Sequence, residues 1–344
     1  MTPPVSPSSA TTAMASEIAE TPAAVARFLD REGASLARIG AKLRDIAPPV
    51  VVTCARGSSD NAAGYFKYLS EIRMGLPVAS IGPSIASIYN APLRLTGAVV
   101  ISVSQSGKSP DIVALQAAAR EAGAFAIAVV NDDTSPLAMQ ADAVLPLHAG
   151  VERSVAATKT CLTSAAVLAA LLSEWHQDEA LLQSVRTLPR AFEAALSADW
   201  SPALPVFEKA QSAYVIGRGP AYPVAQEAAL KLKETAVLHA EAYSGAEVMH
   251  GPLQLVGEGF PVLAFRPHDA AYAAMGEAIE RMRGAGATMF VAGENGLPFE
   301  SSGHPLIDPL VMLLSFYGLA EKVARGRGFD PDRPTRLHKV TETI

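Results

Sequence analysis

The six residues Ser104-Gln-Ser-Gly-Lys-Ser109 place three hydroxyls, an amide and a glycine between an apolar run and a segment headed by Pro110. Proline is favoured at the first helical position, so this loop opens onto a helix N-terminus. Unpaired N–H groups and the helix dipole at such an end favour an anion. The loop has neither G-x-x-x-x-G-K-[ST] nor G-x-G-x-x-G, which argues against a nucleoside triphosphate and against a dinucleotide. A monophosphate fits the hydroxyl set. The plainer alternative is an ordinary Ser-capped βα turn, although three serines and a glutamine are more than a cap needs. Ser58 and Ser59 follow an earlier apolar run at a Gly turn. They are either helix caps or part of the same ligand site, since open parallel sheets bind ligands at the carboxyl ends of their strands.

A second constellation lies in Gln226–Leu238, which reads as a helix. Glu227, Lys231 and Glu234 stand at i, i+4 and i+7 and share one face, while Lys233 points the other way. Such a face is usually a solvated salt-bridge ladder, and the pattern alone favours that reading. The functional alternative is a general base held by a neighbouring cation. His250 precedes Gly251-Pro252, so it sits in a turn rather than on a core face. His239 and Glu241 resemble a fragment of a zinc signature, but no partner motif follows and no metal is expected. Lys339 stands in a polar tail, where a lysine is normally mobile and inert.

The elements that must position these groups are α/β. A helical pattern runs from near Met14 to Ile46 and stops at Pro48-Pro49. Strand Val50–Cys54, a helix carrying Ala62, Ala63, Phe66 and Leu69, strand Val99–Ser104, a helix from Pro110 to Ala122 and strand Phe125–Val130 follow. Alternation at this spacing is the βαβ pattern of a parallel sheet covered by helices on both faces, a three-layer α/β/α arrangement. The second half echoes the first. Val52–Gly57 matches Tyr214–Gly219 at an offset of 162, and Arg120–Ala124 matches Arg283–Ala287 at an offset of 163. A duplicated domain is expected. Where the first copy has Ser104–Ser109 the second has Arg266-Pro-His-Asp-Ala-Ala271, so an anion site is expected in the first copy. Expected boundaries are a disordered tail at 1–13, a first domain at 14–190, a second at 200–328 and a tail at 329–344.

Composition sets the outer limits. The chain has 344 residues, 49% apolar and 18% charged, which allows a large core and excludes wholesale disorder. The apolar runs are far shorter than the ~20 residues of a membrane span. A net charge of -6 argues against a nucleic-acid surface. Two cysteines without a C-x-x-C exclude a disulfide scaffold and fit a reducing, cytoplasmic setting. No signal peptide is read at the N-terminus.

Taken in order, Met14–Pro22, Ser104–Gly107, Ser154-Val-Ala-Ala-Thr-Lys159, Gly217-Arg-Gly219, Ala228–Glu234, His250-Gly-Pro252 and Leu337-His-Lys339 resemble the sugar isomerase (SIS) family. The tandem arrangement resembles the isomerase half of glucosamine-6-phosphate synthase. This resemblance implies that Ser104, Gln105, Ser106 and Ser109, with Ser59, hold a sugar phosphate, and that Ser58 and Val155 line the sugar. It implies that Glu234 moves a proton between C1 and C2, with Glu227 and Lys231 positioning it. His250 would open the pyranose ring from a neighbouring subunit, which implies a homodimer. Lys339 would close over the sugar and could form an imine with a ketose carbonyl.

Three departures qualify the match. Ala157 stands where the family pattern usually has a serine that contacts the substrate, and Arg56 replaces a small residue before Gly57. Only about thirteen residues, beginning Met-Thr-Pro-Pro, precede the resemblance, with no glutaminase nucleophile among them. The expectation is therefore a glucosamine-6-phosphate deaminase that needs no cofactor. Alternatives are a deaminase or deglycase of another amino-sugar phosphate, a plain sugar-phosphate isomerase, or a non-catalytic sugar-phosphate sensor.

Overall fold

A computed structural model describes residues 11–293 and 296–339. The chain divides into two compact units. One is built from Thr21–Glu152 and Lys159–Arg186; the other from the chain up to Glu20, Arg153–Thr158 and Thr187–Lys339. Positions 1–10 of the expected tail, and 340–344 at the other end, lie outside the described residues.

Helix α1 (Ala13–Ile46) is continuous through Pro22. It leads into a five-stranded parallel sheet of order β2-β1-β3-β4-β5, made of β1 (Val51–Cys54), β2 (Val78–Ser80), β3 (Val99–Ser104), β4 (Phe125–Val130) and β5 (Ala143–Pro146). All of β3 is buried, and all of β4 past Phe125, as expected of strands covered on both faces. The flanking helices are α2 (Ser58–Met74), α3 (Ser84–Ser87), α4 (Pro110–Glu121), α5 (Pro136–Met139) and α6 (Lys159–His176). Helix α2 stops at Gly75, which takes the left-handed conformation that suits a glycine helix stop. Helix α6 is apolar almost all round and is buried along nearly its whole length.

After α7 (Glu179–Leu196) and the short α8 (Leu204–Lys209), a four-stranded parallel sheet has the order β7-β6-β8-β9. Its strands are β6 (Ser212–Gly217), β7 (His239–Ser244), β8 (Pro261–Phe265) and β9 (Thr288–Ala292). Helices α9 (Ala221–Ala236), α10 (Tyr272–Gly284) and α11 (Asp308–Gly326) accompany it. Tyr214, Ile216, Val262, Ala264, Met275, Ile279 and Val291 form one apolar core between this sheet and α10. The order β7-β6-β8-β9 repeats β2-β1-β3-β4 of the first sheet, and both units are α/β.

Two parts of the sequence reading shift. Helix α9 starts earlier than Gln226 and stops at Ala236, where Val237 takes a left-handed turn. His239 and Glu241 then lie on the edge strand β7, with Glu241 accepting a hydrogen bond from the Tyr243 hydroxyl at 2.7 Å. No described helix is long and apolar enough to cross a membrane.

Candidate active site

The serine loop joins the carboxyl end of β3 to α4, one strand away from the β1–α2 loop, since Cys54 pairs with Ser102. Ser104 is buried and its Oγ accepts from the Gly107 amide at 3.1 Å; Ser106 Oγ accepts from the Lys108 amide at 3.3 Å. Gly107 has φ 63°, and a Cβ there would stand 2.1 Å from Ser135 Oγ, so only glycine fits this bend. Gln105, Ser106 and Ser109 are half-buried. Ser109 occupies the N-cap position of α4, yet its side chain makes no capping bond. The loop is thus not the plain Ser-capped turn that was its simpler reading. Ser58 and Ser59 are not caps either: Gly57 holds the N-cap position of α2. Ser58 is buried with its carbonyl accepting from Cys161 Sγ at 3.3 Å, and Ser59 is half-buried.

Arg56, which departs from the family pattern, bridges these two loops. Its Nε donates to Asp111 Oδ2 at 2.8 Å and Nη2 lies 2.6 Å from the same oxygen. Asp111 is fully buried in the first turn of α4. Burial pushes the neighbouring Asp60 carboxyl up, against the opposing pull of the Ser80 hydroxyl and Arg56.

In the other unit, Glu227, Lys231 and Glu234 do share one face of α9, but the face is not a solvated ladder. The Lys231 and Glu227 side chains are 0% and 1% exposed, and Glu234 is 23% exposed. Lys231 Nζ binds Glu234 Oε2 and lies 3.5 Å from Glu227 Oε1. The Tyr317 hydroxyl, from α11, donates to Glu227 Oε1 at 3.0 Å. A buried ammonium flanked by two carboxylates is stable only when its partners are well held. Here Glu227 is fixed by a tyrosine and Glu234 alone keeps access to the outside. Lys233 is exposed, as its position on the helix predicts.

The described tail is anchored rather than loose. Lys339 Nζ donates to the Ser154 carbonyl at 2.7 Å, Val155 N donates to Asp332 O at 3.4 Å, and Ser154 Oγ reaches Pro331 O at 3.5 Å. Asp332 accepts from the Ala13 and Met14 amides at 2.6 and 2.7 Å, at the start of α1, where a carboxylate complements the helix dipole. Glu17 in turn binds the Arg153 and Ser154 amides. Val155 and Ala157 are half-buried in this segment. His250 follows a short 3-10 turn, Glu247–Met249, and its ring is exposed with no bond to a described residue.

Sequence reasoning missed Tyr317, Asp111, Asp332 and Glu17. Tyr317 is 90 positions from its partner inside an apolar helix, and nothing local marks it. Glu17 and Asp332 lay inside or beside segments already singled out, but their roles depend on contacts far along the chain.

The SIS domain family matches residues 49–174 and 206–292. The glutamine–fructose-6-phosphate aminotransferase [isomerizing] of Legionella pneumophila is 34% identical over 328 residues, covering 88% of this chain and 53% of that protein. The chain spans about half the length of the curated relatives it matches. A protein of Silicibacter pomeroyi DSS-3, provisionally described as a phosphosugar isomerase, is 46% identical, with a TM-score of 0.89 over 94% of this chain and 100% of that one. A glucosamine-6-phosphate deaminase of Thermotoga maritima shares the fold at 20% identity, with a TM-score of 0.78 over 96% of this chain and all of that one.

Proposed function

This chain belongs to the SIS domain family, and from that premise we propose that it deaminates glucosamine 6-phosphate to fructose 6-phosphate and ammonia. The coarser reading, a sugar-phosphate isomerase or deaminase, follows from the relatives' stated activities. The observation that carries the reaction is the buried Glu227–Lys231 pair that holds Glu234 at the surface. An aldose–ketose shift needs one carboxylate that takes a proton from one carbon and returns one to the next.

In this proposal the hydroxyls of Ser59, Ser104, Ser106 and Ser109, with Gln105, take the phosphate, while Ser58, Val155 and Ala157 border the sugar. His250 acts as the acid and base of ring opening, in the site of a neighbouring copy as the family resemblance implies; an imidazole can both donate and accept the proton that this step moves. Glu234 removes the C2 proton of the open aldehyde, giving an enolamine. Protonation at C1 then leaves a C2 ketimine. Water adds to that carbon and ammonia departs, directly or after exchange with the Lys339 amine. No electrons are gained or lost overall.

Release of ammonia from the amino sugar is the direction we favour, and the thiols of this sequence are in keeping with it. Both cysteines of the chain are buried, and burial together with the charge of Asp111 pushes the Cys54 thiol up to about 12. Neither suits the attack that frees ammonia from glutamine. Releasing ammonia from an amino sugar needs no such nucleophile. Purified protein supplied with glucosamine 6-phosphate is expected to release ammonia and fructose 6-phosphate in equal amounts. Sugar interconversion without ammonia would reduce the reading to a plain isomerase, and amine release only from fructosamine 6-phosphates would make it a deglycase.

A further inference from the structure

The two sheets repeat one order, and the repeat can be followed residue by residue at their carboxyl ends. Arg56 and Arg218 stand 162 positions apart, as do the first residues of β3 and β8, Val99 and Pro261, and of α4 and α10, Pro110 and Tyr272. In the first sheet Arg56 is held by the fully buried Asp111. The position corresponding to Asp111 is Ala273. Arg218 has therefore kept its place and lost its acid. It is half-buried, and its side chain makes no hydrogen bond, ion pair or ring contact with a described residue.

A second guanidinium sits at the matching point of the next strand. Ile216 pairs with Ala264, and Arg218 and Arg266 each follow two positions later. Between β6 and β8 the strand order reverses direction, which is where open parallel sheets bind ligands. Arg266 is ordered from its own side: its CZ lies 3.7 Å from the Tyr272 ring centroid, and Nε donates to the Tyr272 carbonyl at 3.1 Å. Gly276 leaves the space that its Nη2 fills, since a Cβ there would stand 2.5 Å away. The exposed His268 ring stacks on the other partner of this cluster, 4.3 Å from Tyr272 between centroids. The two loops lie close together, Asp269 Oδ2 standing 3.8 Å from where a Gly219 Cβ would be. That carboxylate bonds the Ala271 amide and forms no ion pair with either arginine. Burial also pushes the Asp269 carboxyl up, against the opposing pull of the Ala271 amide.

We propose that the carboxyl end of the second sheet is a separate binding site for a small phosphomonoester, with Arg218 and Arg266 as its cations and His268 at its rim. Two guanidinium groups at one register repel each other unless an anion lies between them, and a dianionic phosphate matches their charge and fork geometry better than a carboxylate does. The site is not the reaction centre. Arg218 precedes α9, whereas Glu234 lies near its far end, about 20 Å along a helix at ~1.5 Å per residue.

Equilibrium dialysis of the full chain against radiolabelled inorganic phosphate tests this. Two phosphates per chain are expected, falling to one in Arg218→Gln and staying at two in Arg218→Lys at high phosphate. Ser106→Ala is expected to remove the other one. Ammonia release from glucosamine 6-phosphate, measured on the same preparations, is expected to persist in Arg218→Gln, so a failure of the deaminase reading is seen separately. Circular dichroism melting of each variant identifies any that do not fold. A folded Arg218→Gln that binds as many phosphates as the wild type would overturn the proposal, whereas a single wild-type phosphate that Arg218→Gln removes would count against the serine loop instead. Displacement by acetate at the same concentration as phosphate would overturn the phosphomonoester assignment.

Discussion

Glu234 and Lys231 are neighbours on one helix face, yet their substitutions should fail in different ways. Glu234→Gln keeps the shape and much of the hydrogen bonding of a half-exposed side chain. It should melt within a few degrees of the wild type while kcat for ammonia release falls by about 10²–10⁴-fold, the usual worth of a positioned acid–base group. Lys231→Met leaves Glu227 buried without its cation, which should cost about 3–5 kcal/mol of stability in urea unfolding. Adding Glu227→Gln to Lys231→Met should recover part of that loss, because the stranded charge is then gone. If Lys231→Met alone proves as stable as the wild type, the pair is not the buried support described above. The spacing of these residues was readable in the sequence, but their burial was not. An i, i+4, i+7 pattern is the same for a solvated ladder and for a buried cluster. What separates them is α11, whose Tyr317 arrives from 90 positions away. Lys339 carries the same lesson in reverse: a polar tail looks inert until its amine is seen on the Ser154 carbonyl.

The elements around the serine loop were legible because their physics is local. The strands Val99–Ser104 and Phe125–Val130 stand where their apolar runs placed them, and α4 begins at the proline that marked it. The short edge strand β2 and the half-exposed β7 were not found, since each carries a weak or polar pattern and is defined mainly by its partner. The loop itself makes a prediction at this scale. Gly107 combines φ 63° with contact against Ser135, so Gly107→Ala must strain the bend and move Ser135. A loss of about 1–3 kcal/mol is expected, together with a rise in KM for the sugar phosphate that exceeds any fall in kcat. Chemical denaturation and steady-state kinetics read the two effects separately. Unchanged KM would mean that the loop's shape is not what recognises the substrate.

At the scale of the molecule, an acidic chain that takes an anion must rely on hydroxyls, helix ends and isolated cations, and this protein offers an internal reporter of that binding. Cys54 and Cys161 are both buried in the unit that carries the serine loop. Burial raises the Cys54 thiol from 9.0 to about 12, so the folded form binds that proton more tightly than the unfolded one. Its contribution to stability is complete below about pH 9 and is lost as the pH climbs toward 12. At pH 8 the native thiols should therefore react with a disulfide reagent only when the structure opens, at a rate set by the open population. A ligand that binds only the folded form lowers that population by a factor of one plus its concentration over Kd, so phosphate at about 100 times its Kd should slow labelling about 100-fold. Ser106→Ala should weaken this protection in proportion to its loss of affinity. Labelling that is fast in the native protein would show a local route to the thiols. Labelling that is slow but indifferent to phosphate would show that the serine loop does not take the anion, and the substrate reading would fall with it.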